Sequence, residues 1–600
     1  MILQSQDKKN TILDANATVI IFFITIFSIV AIPGYRVFTS DHVYYIPKIQ
    51  ESLGKNGLGD DIITKFDQGK MTYFDEIVIL ASKIFGNNIT IALFVLTIFF
   101  RFIFLAGIYR LAFFFSKNKA ISIIAAAVLS GGISVFGTQT LTVEILLVPR
   151  AAALSIAILS LTFLVEGKIF KASVLTGISF FMHPITTVPF LIIYYGIILD
   201  RIMNEKNFAS IIFASIPMIS ILIFFIATPS IVRPEFNAMD QEWFNILVET
   251  NNYLFVTTGR IQMILYYAAF SLLFFAGWQW INKTGKKKAA IALLCAIIPL
   301  LLFVAAIIFA DILKIQIFVQ AQLARSATIF ELTAVMLFIG YGINYIIKNP
   351  DDLITNISII GIILSVWLKE IMIFAFIPVF TLSFIKENAF QKKWINLDNK
   401  TKALLLALSS VAVVVLMFIE KKNPEYLALI FIIAIIILKV ATKKHKAFLE
   451  RNWEKISMAT PLALSIMLLP LFSFNSPYEE DQKSSELCTW IQNNTKKEDI
   501  FLTDPYASYL NAILRMKCHK GIFVSPGASA QGVFDRKYAF EWKKRMKMAE
   551  KAKIDPSEIK RIVKEYGIKY MVLETQNDTG YPIIFQNSKY FVYYLKSKNE

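Results

Sequence analysis

Two acids and two arginines in this 600-residue chain stand at the ends of long apolar runs. Charge is expensive there, so these residues are the first candidates for chemistry. Asp41 follows the first apolar run by a few residues, in TSDHVYYIP, beside His42 and the tyrosines Tyr44 and Tyr45. Glu144 lies in a very short turn, TQTLTVEILLVPR, about a hundred residues further on. Two carboxylates on one face can bind a divalent cation such as Mg2+ or Mn2+; alternatively one deprotonates a hydroxyl while the other orients it. The plainer alternative is a pair of solvated loop acids. Arg150 comes six residues after Glu144, in VPRAAAL, and Arg325 stands in QIFVQAQLARSATIF. A guanidinium stays charged and offers a planar fork of donors, which suits a phosphate. It also suits simple snorkelling at a membrane boundary. His183, in GISFFMHPITTVPF, sits where two short apolar segments meet and needs a partner there: a carboxylate, a phosphate or a water. Arg101 and Glu331 are further charges within apolar runs and read as structural partners of groups the sequence does not identify. HExxH, CxxC and phosphate-loop motifs are absent, as are GxSxG and GxGxxG in fitting contexts.

The elements that must hold these residues are membrane helices. Hydrophobic residues make up 56% of the chain and the mean hydropathy is +0.57, against roughly 45–50% apolar usage in ordinary globular domains. Runs such as 17–35, 260–281, 289–310 and 327–346 approach the ~20 residues that cross a ~30 Å hydrocarbon core. Taken in order, the runs predict about 15 crossings, near 17–35, 88–109, 120–137, 145–165, 171–182, 184–199, 208–227, 260–281, 289–310, 327–346, 353–368, 371–386, 403–419, 426–441 and 457–474. The stretch 171–199 is split at His183-Pro184, because Pro184 removes a backbone donor and strains the turn before it. With the N-terminus inside, the basic clusters, including KKK at 286–288 and KKHK at 443–446, fall in inner loops, while 138–149 on the outside holds no Lys or Arg. That is the asymmetry cytoplasmic loops show. The first run follows Lys8 and Lys9 and has no clean cleavage site, so it reads as a retained signal anchor.

Two regions lie outside the membrane in this scheme. The loop at about 36–86 contains amphipathic stretches at 42–54 and 75–86, which read as interfacial helices. Its GLGDD, 57–61, reads as a turn rather than a metal site. From about 476 the composition turns polar. Helices at 484–495 and 555–567 alternate with strands at 500–505, 521–527, 569–574 and 590–595, which predicts a small α/β domain on the outer side. The predicted architecture is an all-α polytopic domain, 1–475, followed by an extracytoplasmic α/β domain, 476–600.

The net charge of +17 follows the topology-setting loops and does not imply a nucleic-acid partner. Anionic lipid is the natural contact for such loops. Of the three cysteines, Cys295 lies in an apolar run, while Cys488 and Cys518 share the tail and pair only if their geometry and compartment allow it. Usage rich in Lys, Ile, Asn and Phe fits an AT-rich bacterial genome and hence an inner membrane.

At these residues the chain resembles the glycosyltransferase C superfamily, polytopic enzymes that use polyprenyl-phosphate-linked sugars. The resemblance rests on an acid after the first helix (Asp41) and a second acid in the next outer loop (Glu144). A Pro149-Arg150 pair opening the following helix and the segment with Gly177, His183 and Pro184 add to it. The tail, with Trp490, Ile491, Asn494, Thr495, Asp504 and Pro505, is similar to the outer domains several members carry. Where many members have two consecutive acids this chain has Asp41-His42, which leaves metal use open, and it lacks a WWDYG-type signature. The resemblance implies sugar transfer with inversion from a lipid-linked donor. In it Asp41 is the general base, Glu144 an orienting group or metal ligand, and Arg150 and Arg325 hold the departing phosphate, with His183, His42 and Tyr44 close to the substrate. A flippase or transporter of an anionic substrate is the competing reading, since broken helices are a transporter habit. A non-catalytic envelope scaffold is the third.

Overall fold

The computed structural model describes residues 15–595 except 39, 55–56, 66–70, 136, 206–208, 228–234, 259–261, 369–372, 389–398 and 420–481. Up to residue 419 the described chain is almost wholly helical. Its helices are α1 (Ala15–Val30), α2 (His42–Ser52), α3 (Phe74–Ile84), α4 (Ile89–Ser116), α5 (Lys119–Leu129), α6 (Pro149–Val165), α7 (Ile169–Met182), α8 (Pro184–Glu205), α9 (Ala209–Ala227), α10 (Gln241–Thr250), α11 (Gln262–Thr284), α12 (Lys286–Ala305), α13 (Gln316–Ala321), α14 (Ala327–Lys348), α15 (Leu353–Leu368), α16 (Ile373–Asn388) and α17 (Asn399–Ile419). Among the described residues five stretches are long and apolar enough to cross a membrane, namely Ile89–Ser116, Pro184–Met203, Met263–Thr284, Lys286–Ile312 and Gln316–Lys348, and shorter apolar helices accompany them. The chain is a multi-pass membrane protein.

Local chemistry sets the helix ends. Asn88 and Asn118 cap α4 and α5 by accepting from Ile91 N and Ile121 N, both at 3.1 Å, which satisfies orphan amides of the first turn. Pro149 opens α6, where its missing N–H costs nothing, so Arg150 is fixed in the first turn. The chain breaks at His183, which is extended (φ −162, ψ 97) between α7 and α8, as Pro184 requires of the residue before it. The predicted run 120–137 is not one helix. It stops at Leu129, and Gly131-Gly132 leads into a hairpin pairing Ser134–Val135 (β1) with Thr140–Leu141 (β2). Gly132, at φ +80, takes a conformation that ends a helix. The predicted crossings at 426–441 and 457–474, and the boundary at 476, lie outside the described residues.

One apolar core runs through the bundle, with α4, α6 and α7 packed together and α11 against α14. A Cβ added to Gly277 of α11 would stand 2.5 Å from the Leu337 carbonyl carbon of α14, so only glycine allows that approach.

The C-terminal domain is a five-stranded mixed sheet with helices at Gln482–Asn494, Ser508–Met516, Arg536–Ala552 and Pro556–Tyr566. Its strands are β3 (Ile500–Thr503), β4 (Gly521–Ile522), β5 (Tyr570–Leu573), β6 (Ile583–Gln586) and β7 (Phe591–Tyr594), in the order β4-β3-β5-β7-β6. β3 pairs in parallel with β4 and β5, and the remaining pairs are antiparallel. Cys488 and Cys518 are joined as a disulfide, settling the question left open above. The domain does not stand apart. Leu58, Ile62 and Ile63 from the first loop and Trp243, Ile246 and Leu247 from α10 share one core with Ile500, Phe523, Val533 and Trp542.

Candidate active site

The site is assembled where α2, the turn before α6, the α7–α8 break and the segment before α14 meet. Asp41 precedes α2 as its N-cap residue, but its side chain makes no capping bond. Instead Oδ2 accepts from Arg150 Nη1 at 2.6 Å, while Arg150 Nε donates to Glu144 Oε1 at 2.6 Å. One guanidinium therefore bridges the two acids that the sequence placed on one face. Asp41 keeps 35% side-chain exposure and Glu144 only 6%. Asp41 Oδ1 has no hydrogen bond to a described residue.

The backbone beneath this pair is held by Arg101, deep in α4. Its Nη1 donates to Ser28 O at 3.0 Å and Gly34 O at 3.1 Å, and its Nη2 to Glu144 O at 2.5 Å. The partners that the sequence left unidentified are thus main-chain carbonyls of the end of α1 and of the Glu144 turn. His42 serves the same purpose. It is 1% exposed, its Nδ1 accepts from Phe38 N at 3.1 Å and its Nε2 donates to Leu147 O at 2.9 Å. Both nitrogens are committed, so His42 has none to offer a phosphate or a metal in this arrangement. Tyr44 points to the C-terminal domain, with the Arg515 guanidinium 5.6 Å from its ring centre.

Arg325 stands on a 3-10 turn, Leu323–Ser326, within electrostatic reach of Asp41, Arg150, Glu144 and Tyr253. Among the described residues it makes no ion pair and no side-chain hydrogen bond; its Nε is buried without a partner. Its guanidinium carbon lies 5.9 Å from the centre of the Tyr253 ring. His183 is near enough to feel both Arg150 and Arg325. Its Nδ1 accepts from Thr186 N at 3.2 Å and meets the Thr186 hydroxyl at 2.9 Å, which leaves Nε2–H without a protein partner among the described residues. Tyr253 was not singled out in the sequence; a tyrosine in the polar stretch NNYLF carries no signal that separates it from other interfacial aromatics.

The electrostatics follow from this packing. Burial by itself raises the Asp41 carboxyl, but the charge and hydrogen bond of Arg150, with smaller help from Arg325 and His42, hold it below its ordinary value. It is ionised at neutral pH. Burial pushes His42 down to about 4, against the opposing pull of Leu147 O and Asp41, so it is neutral.

A divalent cation at Asp41 and Glu144 does not fit this donor set. Arg150 already lies between the carboxylates, and no group of three or more His, Cys, Asp or Glu suited to a metal occurs among the described residues. A cation there would have to displace the guanidinium and fill the rest of its shell with water and substrate oxygens.

No family model and no curated protein matches the sequence. Over 97% of its length the chain is similar to 97% of the crystallised chain of ArnT from Cupriavidus metallidurans bound to undecaprenyl phosphate, with a TM-score of 0.43 and 8% identity.

Proposed function

We propose that this chain is an integral-membrane glycosyltransferase that moves a sugar, with inversion, from a polyprenyl-phosphate-linked donor to an acceptor hydroxyl on the extracytoplasmic face. The observation that carries the reading is an ionised, accessible carboxylate, Asp41, beside two arginines of which one, Arg325, makes no ion pair among the described residues. That pairing suits a reaction in which a hydroxyl loses a proton and a phosphate gains charge. Asp41 Oδ1 accepts the hydrogen bond of the acceptor hydroxyl. As that oxygen bonds to the anomeric carbon, the bond from that carbon to the phosphate oxygen breaks, and its electrons stay with the lipid phosphate. The proton ends on Asp41. The leaving phosphate goes from one negative charge to two, and Arg325, Arg150 and the free Nε2–H of His183 meet that charge where it develops.

Glu144 acts through Arg150 and is a positioning residue, because it is nearly buried and bonded to the guanidinium. His42 and Arg101 position the backbone, and Tyr44 ties α2 to the C-terminal domain. Apolar side chains left exposed on the helices, such as Phe99, Leu222 and Leu300, offer the lipid tail and the bilayer a surface. Two observations support the outer face. The basic loops favour a cytoplasmic N-terminus, and a disulfide within the C-terminal domain belongs in an oxidising compartment. The bacterial inner membrane satisfies both.

The test is release of polyprenyl phosphate from a panel of lipid-linked sugars by the purified protein, wild type against Asp41→Asn. Donor-dependent turnover that falls by about 10²–10⁴-fold in the variant supports the reading. Absence of turnover across the panel from protein that still binds undecaprenyl phosphate turns it towards transport or scaffolding.

A further inference from the structure

The helices Arg536–Ala552 and Pro556–Tyr566 of the C-terminal domain form a hairpin, joined by the turn at 553–555 and pinned across by an ion pair from Lys544 to Glu565. The start of its first helix is fastened in place. Arg536 pairs with Asp240 at 2.7 Å and Lys543 with Glu249 at 3.0 Å, both at the ends of α10. The Tyr538 hydroxyl donates to Ala528 O at 2.9 Å, one residue from the Gly527 that meets the Tyr44 hydroxyl. The side chains on the other face of the hairpin are exposed, and they are basic.

From Arg536 to Tyr566 the hairpin holds eleven Lys and Arg against five Asp and Glu. The acids are already engaged. Glu541 meets Arg545, Glu558 meets Arg561 and Glu565 meets Lys544. Glu550 accepts from the Tyr506 hydroxyl, and Asp555 caps the second helix by accepting from Ser557 N. Lys547, Lys551, Lys560 and Lys564 remain, all exposed and in no ion pair with a described residue. Lys547 and Lys551 stand about one turn apart on the first helix, and Lys560 and Lys564 on the second. Each pair sets like charges roughly 5–6 Å apart at Cβ, which opposes helix stability. Membrane topology does not call for them, because the lysines that set it lie in short loops close to membrane helices. These belong to a folded domain described from 482 to 595. A bilayer surface is met through an apolar face flanked by basic residues. The hairpin exposes a single large apolar side chain, Ile554 at its turn. Two rows of unpaired ammonium groups on neighbouring helices suit instead a chain that carries anionic groups at intervals.

We infer that this hairpin is a docking surface for a flexible polyanion of the cell envelope, a chain bearing phosphate groups at intervals, held by Lys547, Lys551, Lys560 and Lys564. The inference takes the outer placement of the domain from the proposed function and none of its chemistry. It is tested with the full chain in phosphatidylcholine nanodiscs by mass-spectrometric footprinting of lysine acetylation, with inorganic polyphosphate as the probe and neutral dextran as the control. Polyphosphate slows acetylation of the four lysines and dextran does not. Neutralising four charges on a flexible chain gives a slope of about −3 for log affinity against log salt, an about 50-fold loss between roughly 50 and 200 mM salt. Lys547→Gln with Lys551→Gln weakens the protection of Lys560 and Lys564 about tenfold or more. The double variant keeps the wild-type melting midpoint, since neither lysine is in an ion pair. Unchanged acetylation in polyphosphate, equal protection by dextran, or protection of Lys560 and Lys564 that survives the double substitution overturns the inference. Protection already present in phosphatidylglycerol nanodiscs without polymer also overturns it, and makes the hairpin a membrane contact. No readout uses turnover, so each of these failures leaves the proposed function standing.

Discussion

Replacing Arg515 with alanine tests whether the outer domain is locked to the first loop. Arg515, in the helix Ser508–Met516, and Asp61, in the first loop, are both 0% exposed at the side chain. Asp61 accepts from Arg515 Nε at 2.8 Å, Arg515 Nη2 at 2.6 Å, Ile522 N at 2.8 Å and Ile63 N at 3.0 Å. Arg515→Ala leaves that carboxylate buried with two backbone donors and no counter-ion. Breaking one side of such a pair costs about 3–5 kcal/mol, which lowers the unfolding midpoint by on the order of 6–20 °C. Tryptophan fluorescence during heating is a fitting assay, because Trp243 Nε1 donates to Gly532 O and Trp542 Nε1 to Ser525 O at the same interface. The double variant Asp61→Leu with Arg515→Met removes both charges and costs less than Arg515→Ala alone. Arg536→Ala, which breaks an exposed pair with Asp240 across the same two bodies, shifts the midpoint little. A midpoint for Arg515→Ala within a degree or two of wild type, or strict additivity in the double variant, would refute the reasoning.

Acid should loosen the site through His42. Its folded pKa of about 4 lies below the ~6.5 of an unfolded histidine. Its stabilisation is therefore complete above pH 6.5 and about 3 kcal/mol is lost as pH falls through that window. Denaturant midpoints measured from pH 7 to 4 show the loss, and His42→Gln flattens that part of the profile. Arg325→Ala weakens binding of undecaprenyl phosphate by about 10- to 100-fold, the worth of a charged hydrogen bond; an unchanged dissociation constant would remove Arg325 from the phosphate site. Reduction of Cys488–Cys518, which closes a separation of 30 residues, costs the outer domain roughly 3–4 kcal/mol, seen as a lower melting midpoint in dithiothreitol that Cys488→Ser with Cys518→Ser reproduces without reductant.

Much of the fold was legible because membrane helices announce themselves by apolar runs, and because prolines and glycines mark where they stop. The break at His183-Pro184, the helices of the first loop and the Asp555 to Gly567 helix all follow from such local signals. The hairpin at 134–141 was hidden inside an apolar run that reads equally well as helix. The helix Arg536–Ala552 went unread although Tyr538, Ala539, Trp542, Met546 and Ala549 lie at helical spacing along it. In the site, Asp41, Glu144 and Arg150 could be found because acids and arginines at apolar boundaries are conspicuous. Outside the site, the Asp61–Arg515 lock could not be found, because a turn acid looks the same whether it meets water or an arginine 454 positions away. His42 was misleading for the opposite reason. Beside an acid it resembles a ligand, and only the positions of Phe38 N and Leu147 O show both ring nitrogens in use.

Placing Arg150 between the acids has a consequence for how the site handles charge. Asp41 and Glu144 would repel each other across a short gap, and a divalent cation is the usual remedy. A guanidinium does the same with fixed geometry, since its planar fork meets one carboxylate through Nε and the other through Nη1. Two carboxylates then balance Arg150 and Arg325, so the empty site is close to neutral. In the proposed reaction the arriving phosphodiester adds one negative charge, and bond cleavage adds another on the leaving phosphate while the proton passing to Asp41 cancels one. The total charge at the site is thus the same before and after transfer; only its position shifts, from the acid towards the two arginines. Fixed groups that need not reorganise are well suited to such a shift, which is the condition under which electrostatic preorganisation lowers a barrier most. Arg101 and His42 matter for the same reason, because by holding the backbone under Glu144 and beside Asp41 they keep those groups from relaxing as the charge moves.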